Sequence, residues 1–156
     1  MTNSMRQKWR YQQTINAGPE VIFPLLCPVR EQDWLAGWQY RMIYSESGVA
    51  ELNAVFATPE DSGEETVWTV TRYQPDEYAI HFARFTPDSR VCRLEVQVVP
   101  DTSEQSKVDI VYVYTATSDA GVVFLEEFGE QKFLAAMRFW EESMNHFLAT
   151  GERFEG

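Results

Sequence analysis

The chain has 156 residues, a formal net charge of −11 and a hydrophobic share of 44%, which excludes a disordered polypeptide. An excess of acids over bases argues against nucleic-acid binding, which needs lysine and arginine opposite the phosphates. The same balance argues against docking on anionic membrane surfaces.

The length predicts a single domain over residues 1–156. No apolar run reaches the ~18 residues of a membrane span, and the amino terminus lacks the apolar stretch of a signal peptide. Two cysteines, Cys27 and Cys92, are too few for a disulfide framework. These features predict a cytoplasmic monomer or homodimer with reduced thiols and no stable membrane insertion.

The first predicted elements are one strand and two short helices. "KWRYQQTINA" alternates as a strand does, and Gly18-Pro19 ends it. Pro19 suits the first position of a helix, but Pro24 prevents a long one. Pro28 is expected to start a second helix that runs through "VREQDWLAGW" to a stop at Gly37.

A long β region follows, with turn residues about every ten positions. Its predicted strands are "WQYRMIYSESG", "VAELNAVFAT", "TVWTVTRY", "YAIHFARF", "RVCRLEVQVV" and "KVDIVYVYTATS", the last two joined by a polar loop, "PDTSEQS". Such spacing is typical of an antiparallel meander. Within it, Arg84, Tyr112 and Tyr114 share strand parity with apolar neighbours.

The spacing then predicts a helix from Asp119 to Thr150, capped by Ser118 or Asp119 and stopped by Gly151. Phe133, Met137 and Trp140 begin an apolar stripe on it. Extending that stripe backwards turns Glu126 and Glu130 inward. The alternative is that the helix bends or breaks near Gly129, and this is the favoured interpretation.

The order of elements also resembles a known family. "CPVREQDWLAGWQYRMIYSESGVAE", then "VDIVYVYTATS" and a long helix ending "NHFLATGE", is similar to the START/Bet v-type helix-grip superfamily. It resembles in particular the bacterial SRPBCC group of polyketide cyclase/dehydrase and lipid transport-like proteins, from about Trp9 to Glu152. The resemblance implies an α+β helix-grip fold. In that fold a seven-stranded antiparallel sheet wraps around the long carboxy-terminal helix, with two short helices between strands 1 and 2.

This architecture implies a hydrophobic space between the sheet and the last helix, which aromatic side chains would line. The expected occupant is a small hydrophobic or amphipathic molecule, such as a lipid, an aromatic compound or a polyketide. The predicted ligand-binding residues are those with large or polar side chains on the inward faces: Trp34, Trp38, Tyr40, Met42, Tyr44, Phe56, Trp68, Phe82, Arg84, Tyr112, Tyr114, Phe133, Met137 and Trp140.

Little in the sequence predicts chemistry. The two histidines are isolated from each other and from the cysteines, so no metal site is expected, and no glycine-rich motif indicates a cofactor. Cys27 is expected to pack rather than react, and so is Cys92. No catalytic residue is assigned.

Two other functions stay open. One is a cyclase or dehydratase that uses Glu126 or Glu130 as a cavity carboxylate, together with Tyr112 or Arg84. The other is an interaction module such as a co-chaperone, which the acidic surface and the long helix allow. The superfamily shares no catalytic residues, and its members include both binders and enzymes.

Overall fold

The computed structural model describes residues 5–61 and 63–156, and its seven strands form one antiparallel sheet. The sheet order is β1-β7-β6-β5-β4-β3-β2. The strands are β1 (Arg6–Ile15), β2 (Arg41–Tyr44), β3 (Val55–Pro59), β4 (Glu65–Gln74), β5 (Ala79–Thr86), β6 (Arg90–Thr102) and β7 (Gln105–Ala116). The helices are α1 (Pro19–Ile22), α2 (Pro28–Trp34) and α3 (Asp119–Thr150), with 3₁₀ turns at Phe23–Leu25 and Pro75–Glu77. The predicted helix-grip fold is confirmed.

One face of the sheet is buried from β1 across to β3, and most of these strands alternate buried side chains with more exposed ones. In β7 every second residue from Ser106 to Ala116 is buried, and the intervening ones are partly exposed. In β1 the predicted parity also holds, since Trp9, Gln13 and Ile15 are buried. The buried face therefore provides a continuous wall for the helices.

Helix α3 is fastened to the β1 edge of that wall by polar contacts. The Glu141 carboxylate accepts hydrogen bonds from the Tyr11 hydroxyl and the Thr14 backbone N–H, each at 2.7 Å. The Asn145 amide exchanges bonds with the backbone of Thr14 and Asn16. Because α3 is held at this edge of the sheet, a space remains between the helix and the middle strands.

The long helix is interrupted where the sequence favoured a break. Gly129 has φ 63° and ψ 169°, which is not helical, although helix continues on both sides. Ser118 caps the amino end, where its Oγ accepts the N–H of Gly121, and Gly151 ends the helix in the left-handed conformation. A left-handed residue inside a helix is suited to glycine, which has no Cβ to clash.

The predictions for the second and third strands were too long. Residues 46–53 form turns rather than a strand, since the Glu51 carboxylate accepts the N–H groups of Glu46 and Ser47. Leu52, within the predicted third strand, is 52% exposed. In β2 the register shifts between Met42 and Tyr44, which turns the Tyr44 side chain outward.

Two other boundaries differ from prediction. The polar loop "PDTSEQS" is mostly strand, because β6 runs to Thr102 and β7 starts at Gln105. Helix α2 ends at Trp34, before the predicted stop at Gly37. Leu35 instead takes an extended conformation and forms a parallel bridge with Phe154 in the carboxy-terminal tail.

None of the helices in the described part of the chain is both long and apolar enough to cross a bilayer.

Candidate functional site

A cavity of about 340 Å³ lies between the middle strands of the sheet and the helices α2 and α3. It is partly open to solvent, and most of its lining is aliphatic or aromatic. The lining residues are Leu26, Glu31, Leu35, Ala36, Gly37, Trp38, Trp68, Phe82, Arg84, Leu94, Val96, Tyr112, Ala136, Met137, Phe139 and Trp140.

The walls of the cavity come from the elements that the fold brings together. Strands β4 to β7 supply the sheet side, including the rings of Trp68 and Phe82, while α2 and α3 supply the opposite side. Gly37 and Ala136 are exposed lining residues, one after α2 and one on α3. They mark the mouth of the cavity.

Arg84 is the principal charged group in the lining. Its side chain lies among rings, with the guanidinium carbon 4.9 Å from the ring centre of Trp68 and 5.2 Å from that of Tyr112. One guanidinium nitrogen donates to the Tyr114 hydroxyl at 2.5 Å. No ion pair within residues 5–61 and 63–156 includes Arg84.

The groups around Arg84 are neutral at ordinary pH. Burial raises the pKa of the Tyr112 and Tyr114 phenols and that of the Cys92 thiol, although the guanidinium opposes each shift. Burial works against the charge of Arg84 as well, but a guanidinium is too weak an acid to lose its proton at ordinary pH, and the Tyr114 hydroxyl accepts one of its N–H groups. The site therefore keeps a cation with no anion beside it.

Glu31 provides an acid on the other side of the cavity. It projects from α2, and burial raises the pKa of its carboxyl to about 8. Its carboxyl forms no hydrogen bond or ion pair with any other side chain in the described ranges. At neutral pH the carboxyl is mostly protonated, and it can therefore both donate and accept a hydrogen bond.

Two further polar groups complete the lining. The Tyr112 ring is near both ionisable groups, since Arg84 lowers and Glu31 raises the pKa of its phenol, and burial raises it most. Trp140 contributes a buried indole N–H that has no acceptor among the residues that the structure describes. The cavity thus combines apolar walls with a few polar groups that are able to orient a ligand.

Half of the residues predicted from sequence to bind a ligand line this cavity: Trp38, Trp68, Phe82, Arg84, Tyr112, Met137 and Trp140. The others lie outside the lining: Trp34, Tyr40, Met42, Tyr44, Phe56, Tyr114 and Phe133. Most of this second set supports the lining from behind. Phe56, for example, stacks on Trp68 at 5.2 Å, and Trp34 packs against Trp140. Tyr44 is 62% exposed.

The structure contradicts the placement in the cavity of the two carboxylates that were considered for catalysis. Glu126 and Glu130 are both exposed, because the break at Gly129 shifts the phase of the helix before it. Phe124 and Phe128 turn inward instead and stack on each other at 5.5 Å. Neither glutamate reaches the cavity.

Sequence reasoning missed Glu31, although a signal for it was present. Glu31 precedes Trp34 by three positions and Leu35 by four, so the three side chains share one face of a helix. An acid on the apolar face of a short helix indicates a buried or functional carboxyl. The mixed charges of "REQD" concealed this pattern.

Both cysteines are free and buried. The Cys27 sulfur accepts the backbone N–H of Ala50 at 3.3 Å, which ties the start of α2 to the following loop. Within the part of the chain that the structure describes, no three histidine, cysteine or acidic side chains gather in a way that suits a metal ion.

No protein-family model matches the sequence, and no curated protein matches it either. Solved structures do. Norcoclaurine synthase from Thalictrum flavum, in complex with dopamine and hydroxybenzaldehyde, is similar with a TM-score of 0.67 and 13% identity over 92% of this chain and 87% of its own.

Two bacterial structures are similar to the same extent. The Zhui aromatase/cyclase from Streptomyces sp. R1128 has a TM-score of 0.69 at 12% identity, covering 96% of this chain and 99% of its own. The protein XoxI from Bacillus cereus has a TM-score of 0.68 at 13% identity, covering 92% and 96%. Identities this low show a shared fold, the helix-grip fold, and nothing about a shared activity.

Proposed function

We propose that this protein binds a compact, mainly aromatic molecule in the cavity between its sheet and the helices α2 and α3. The observation that carries the proposal is the cavity itself, with its apolar walls and its unpaired polar groups. A space of that kind, rather than a closed core, is what a ligand-binding domain needs.

The volume favours a small ligand. A cavity of roughly 150 Å³ holds one benzene molecule, so about 340 Å³ suits a molecule of about two rings. A lipid with two acyl chains exceeds this space. Among the ligands expected from sequence, the aromatic class therefore fits best.

The lining supplies enough apolar contact for useful affinity. Burying ~300 Å² of apolar ligand surface contributes ~7 kcal/mol on the usual area scale, before the cost of immobilising the ligand. The net result is micromolar binding at best. The rings of Trp38 and Trp68 meet edge to face, with their centres 6.0 Å apart. They give the cavity flat surfaces on which an aromatic ligand packs well.

Proteins with the same fold support an aromatic ligand. The norcoclaurine synthase structure holds dopamine and hydroxybenzaldehyde, each with one ring, and the Zhui structure is that of an aromatase/cyclase. Their fold accommodates aromatic molecules, and the present cavity has a suitable lining for the same class.

The test is to block the mouth of the cavity without disturbing the core. Ala136 lines the mouth and is exposed, so Ala136→Trp is expected to fold and to fill the entrance. Ala135 is exposed on the same helix but outside the lining, which makes Ala135→Trp the matched control.

The probe is 2-naphthamide, a neutral two-ring compound, followed by calorimetry and by quenching of tryptophan fluorescence. We expect Ala136→Trp to weaken binding by about tenfold or more, and Ala135→Trp to change it by less than about twofold. Equal binding by all three proteins, or no binding by the wild type, would refute the proposal.

One observation favours a second function, that of an acid–base enzyme of the cyclase or dehydratase type. The Glu31 carboxyl is in the cavity, and burial gives it a pKa of about 8, which suits proton transfer near neutral pH. Arg84 and the Tyr112 hydroxyl are placed to polarise a carbonyl group.

A β-hydroxy ketone with one naphthyl ring tests this second function. Loss of its α-proton and its hydroxyl group, which leaves as water, forms a conjugated enone that absorbs in the near ultraviolet. We expect Glu31→Gln to reduce the rate by about 100-fold or more, and Glu126→Gln, at an exposed position, to leave it unchanged. Equal rates for wild type and Glu31→Gln would leave binding alone as the function.

A further inference from the structure

We infer that the molecule held in the cavity is an aromatic monocarboxylate, seated with its carboxylate on the guanidinium of Arg84. The inference depends on the binding function proposed above and names the chemical class of its ligand. It follows from the charge, contacts and position of one side chain and from the size of the space beside it.

The first step is that Arg84 lacks an anionic partner inside the protein. A guanidinium has five N–H donors, and the Tyr114 hydroxyl accepts one of them. The Cys92 thiol beside it is a weak acceptor. The rings of Trp68 and Tyr112 stabilise the charge through their faces, but they supply no acceptor in the plane of the guanidinium.

The other nine arginines are placed differently. Six of them form an ion pair with a carboxylate: Arg30, Arg41, Arg72, Arg90, Arg93 and Arg153. The remaining three, Arg6, Arg10 and Arg138, are exposed to solvent. Arg72, on the neighbouring strand, is partly exposed and pairs with Glu77. Arg84 differs from all of these, because it lines a cavity and has no carboxylate partner. Its guanidinium is therefore a binding position for an anionic ligand.

The second step is that Arg84 is partly buried and directs its side chain into the cavity rather than out from the end of its strand. Its backbone pairs with Trp68 on one side and with Cys92 on the other, in the interior of the sheet. Its side chain points to the buried face and lines the cavity. The free donors are therefore presented to whatever enters.

The third step is that the site accommodates one negative charge and no more. Arg84 is the sole cation among the residues described as lining the cavity. The other ionisable groups in the lining, Glu31 and Tyr112, are either neutral or negatively charged, so neither of them adds a second positive charge. A dianion such as a phosphate monoester would keep one charge unpaired, whereas a planar carboxylate matches the guanidinium fork.

The fourth step is size. A volume of about 340 Å³ holds about two rings together with a carboxylate. The apolar walls beside Arg84, which include Phe82, Leu94 and Val96, suit the ring portion. An aliphatic carboxylate has no ring and would therefore not make the aromatic contacts with Trp38 and Trp68 that an aromatic carboxylate makes.

The experiment compares two probes of the same size, 2-naphthoate and neutral 2-naphthamide, at about pH 6.5, where a carboxylic acid of this type is ionised. Calorimetry gives both affinities for the wild type and for three variants. Arg84→Met keeps the length of the side chain and removes its charge, Arg84→Lys keeps the charge, and Arg72→Met removes an arginine from the adjacent strand. Near-ultraviolet circular dichroism checks that each variant is folded.

We expect the wild type to bind the carboxylate at least about tenfold more tightly than the amide, as a charge-assisted hydrogen bond provides. Arg84→Met should lose that preference and bind the amide as well as the wild type does. Arg84→Lys should keep part of the preference, and Arg72→Met all of it.

Binding of the amide without preference for the carboxylate would overturn the inference and leave the proposed function intact. A preference that survives in Arg84→Met would also overturn it. If Arg84→Met does not fold, the comparison of Arg84→Lys with Arg72→Met decides: an undiminished preference in Arg84→Lys together with a lost one in Arg72→Met would place the anion elsewhere. Binding of neither probe would refute the proposed function itself.

Discussion

Glu31 and Arg84 line the same cavity, yet burial there leaves Glu31 mostly neutral and Arg84 charged. Burial is the largest influence on the pKa of each group. The carboxyl takes up a proton in response, whereas guanidinium is too weak an acid to lose one. The cavity is therefore left with one permanent charge and one proton that it can release.

The buried carboxyl of Glu31 makes the stability of the fold depend on pH. With a pKa of about 8 in the native state and 4.5 as its ordinary value, it binds a proton in the native chain that the unfolded chain releases between these two values. The free energy of unfolding should therefore fall as the pH rises through this window and level off above it.

Glu31→Gln removes this dependence, because an amide does not titrate. We expect the variant to gain stability relative to the wild type by on the order of 2 kcal/mol between about pH 5 and about pH 8.5. Urea unfolding at the two pH values measures the change. Glu126→Gln, at an exposed position, is the control and should show no such gain. A constant difference between Glu31→Gln and the wild type would mean that the carboxyl is ionised in the native state.

At the scale of elements, those with strong periodicity were predictable from the sequence. Strands β4 to β7 alternate cleanly between turns, and the bounds of α3 follow from its cap and its final glycine. The α3 stripe predicted Met137 and Trp140 as ligand-binding residues, and both of them line the cavity. These patterns are local, so one sequence is enough to read them.

The parts that could not be predicted depend on contacts between distant residues. The turn at 46–53 exists because of the Glu51 carboxylate, and the end of α2 is fixed by the bridge from Leu35 to Phe154. The cavity likewise depends on how α2 sits over the sheet, which alternation within a strand does not reveal. The sequence therefore indicated the aromatic lining together with Arg84 and Tyr112, but it did not indicate the acid among the polar groups, Glu31.

The carboxy-terminal tail holds the helical side of the cavity together. Besides its bridge to Leu35, Phe154 contacts the rings of Phe139 and His146, with centres 6.0 and 5.3 Å apart. Arg153 donates to the backbone carbonyl of Gln32. Since Leu35 and Phe139 both line the cavity, the tail links the two helices on either side of its mouth.

Removing the Phe154 ring should loosen this link and speed the exit of a ligand. We expect Phe154→Ala to raise the dissociation rate of 2-naphthamide by about threefold to tenfold and to lower stability by about 1 kcal/mol, as for a half-buried ring. Stopped-flow fluorescence gives the rate. Glu152→Ala, an exposed change in the same tail, should leave the rate as in the wild type. An unchanged rate in Phe154→Ala would show that the tail does not control the mouth.

At the scale of the whole molecule, the charges of the protein act on an anionic ligand in opposite directions at long and at short distance. The net charge of −11 repels an anion at a distance, whereas Arg84 attracts it only within the cavity. Salt screens charges in solvent over about 10 Å at 0.1 M, but it screens a buried pair much less. Approach and final binding of a carboxylate should therefore respond differently to ionic strength.

The association rate of 2-naphthoate is the quantity that separates these effects. Raising sodium chloride from about 0.05 to about 0.5 M should increase it by about twofold to fivefold, because long-range repulsion is screened. The rate for neutral 2-naphthamide should stay constant and serves as the control. Stopped-flow quenching of the cavity tryptophans gives both rates. A rate for 2-naphthoate that falls with salt would mean that the mouth is locally positive despite the acidic surface, and that positive potential rather than Arg84 alone draws the ligand in.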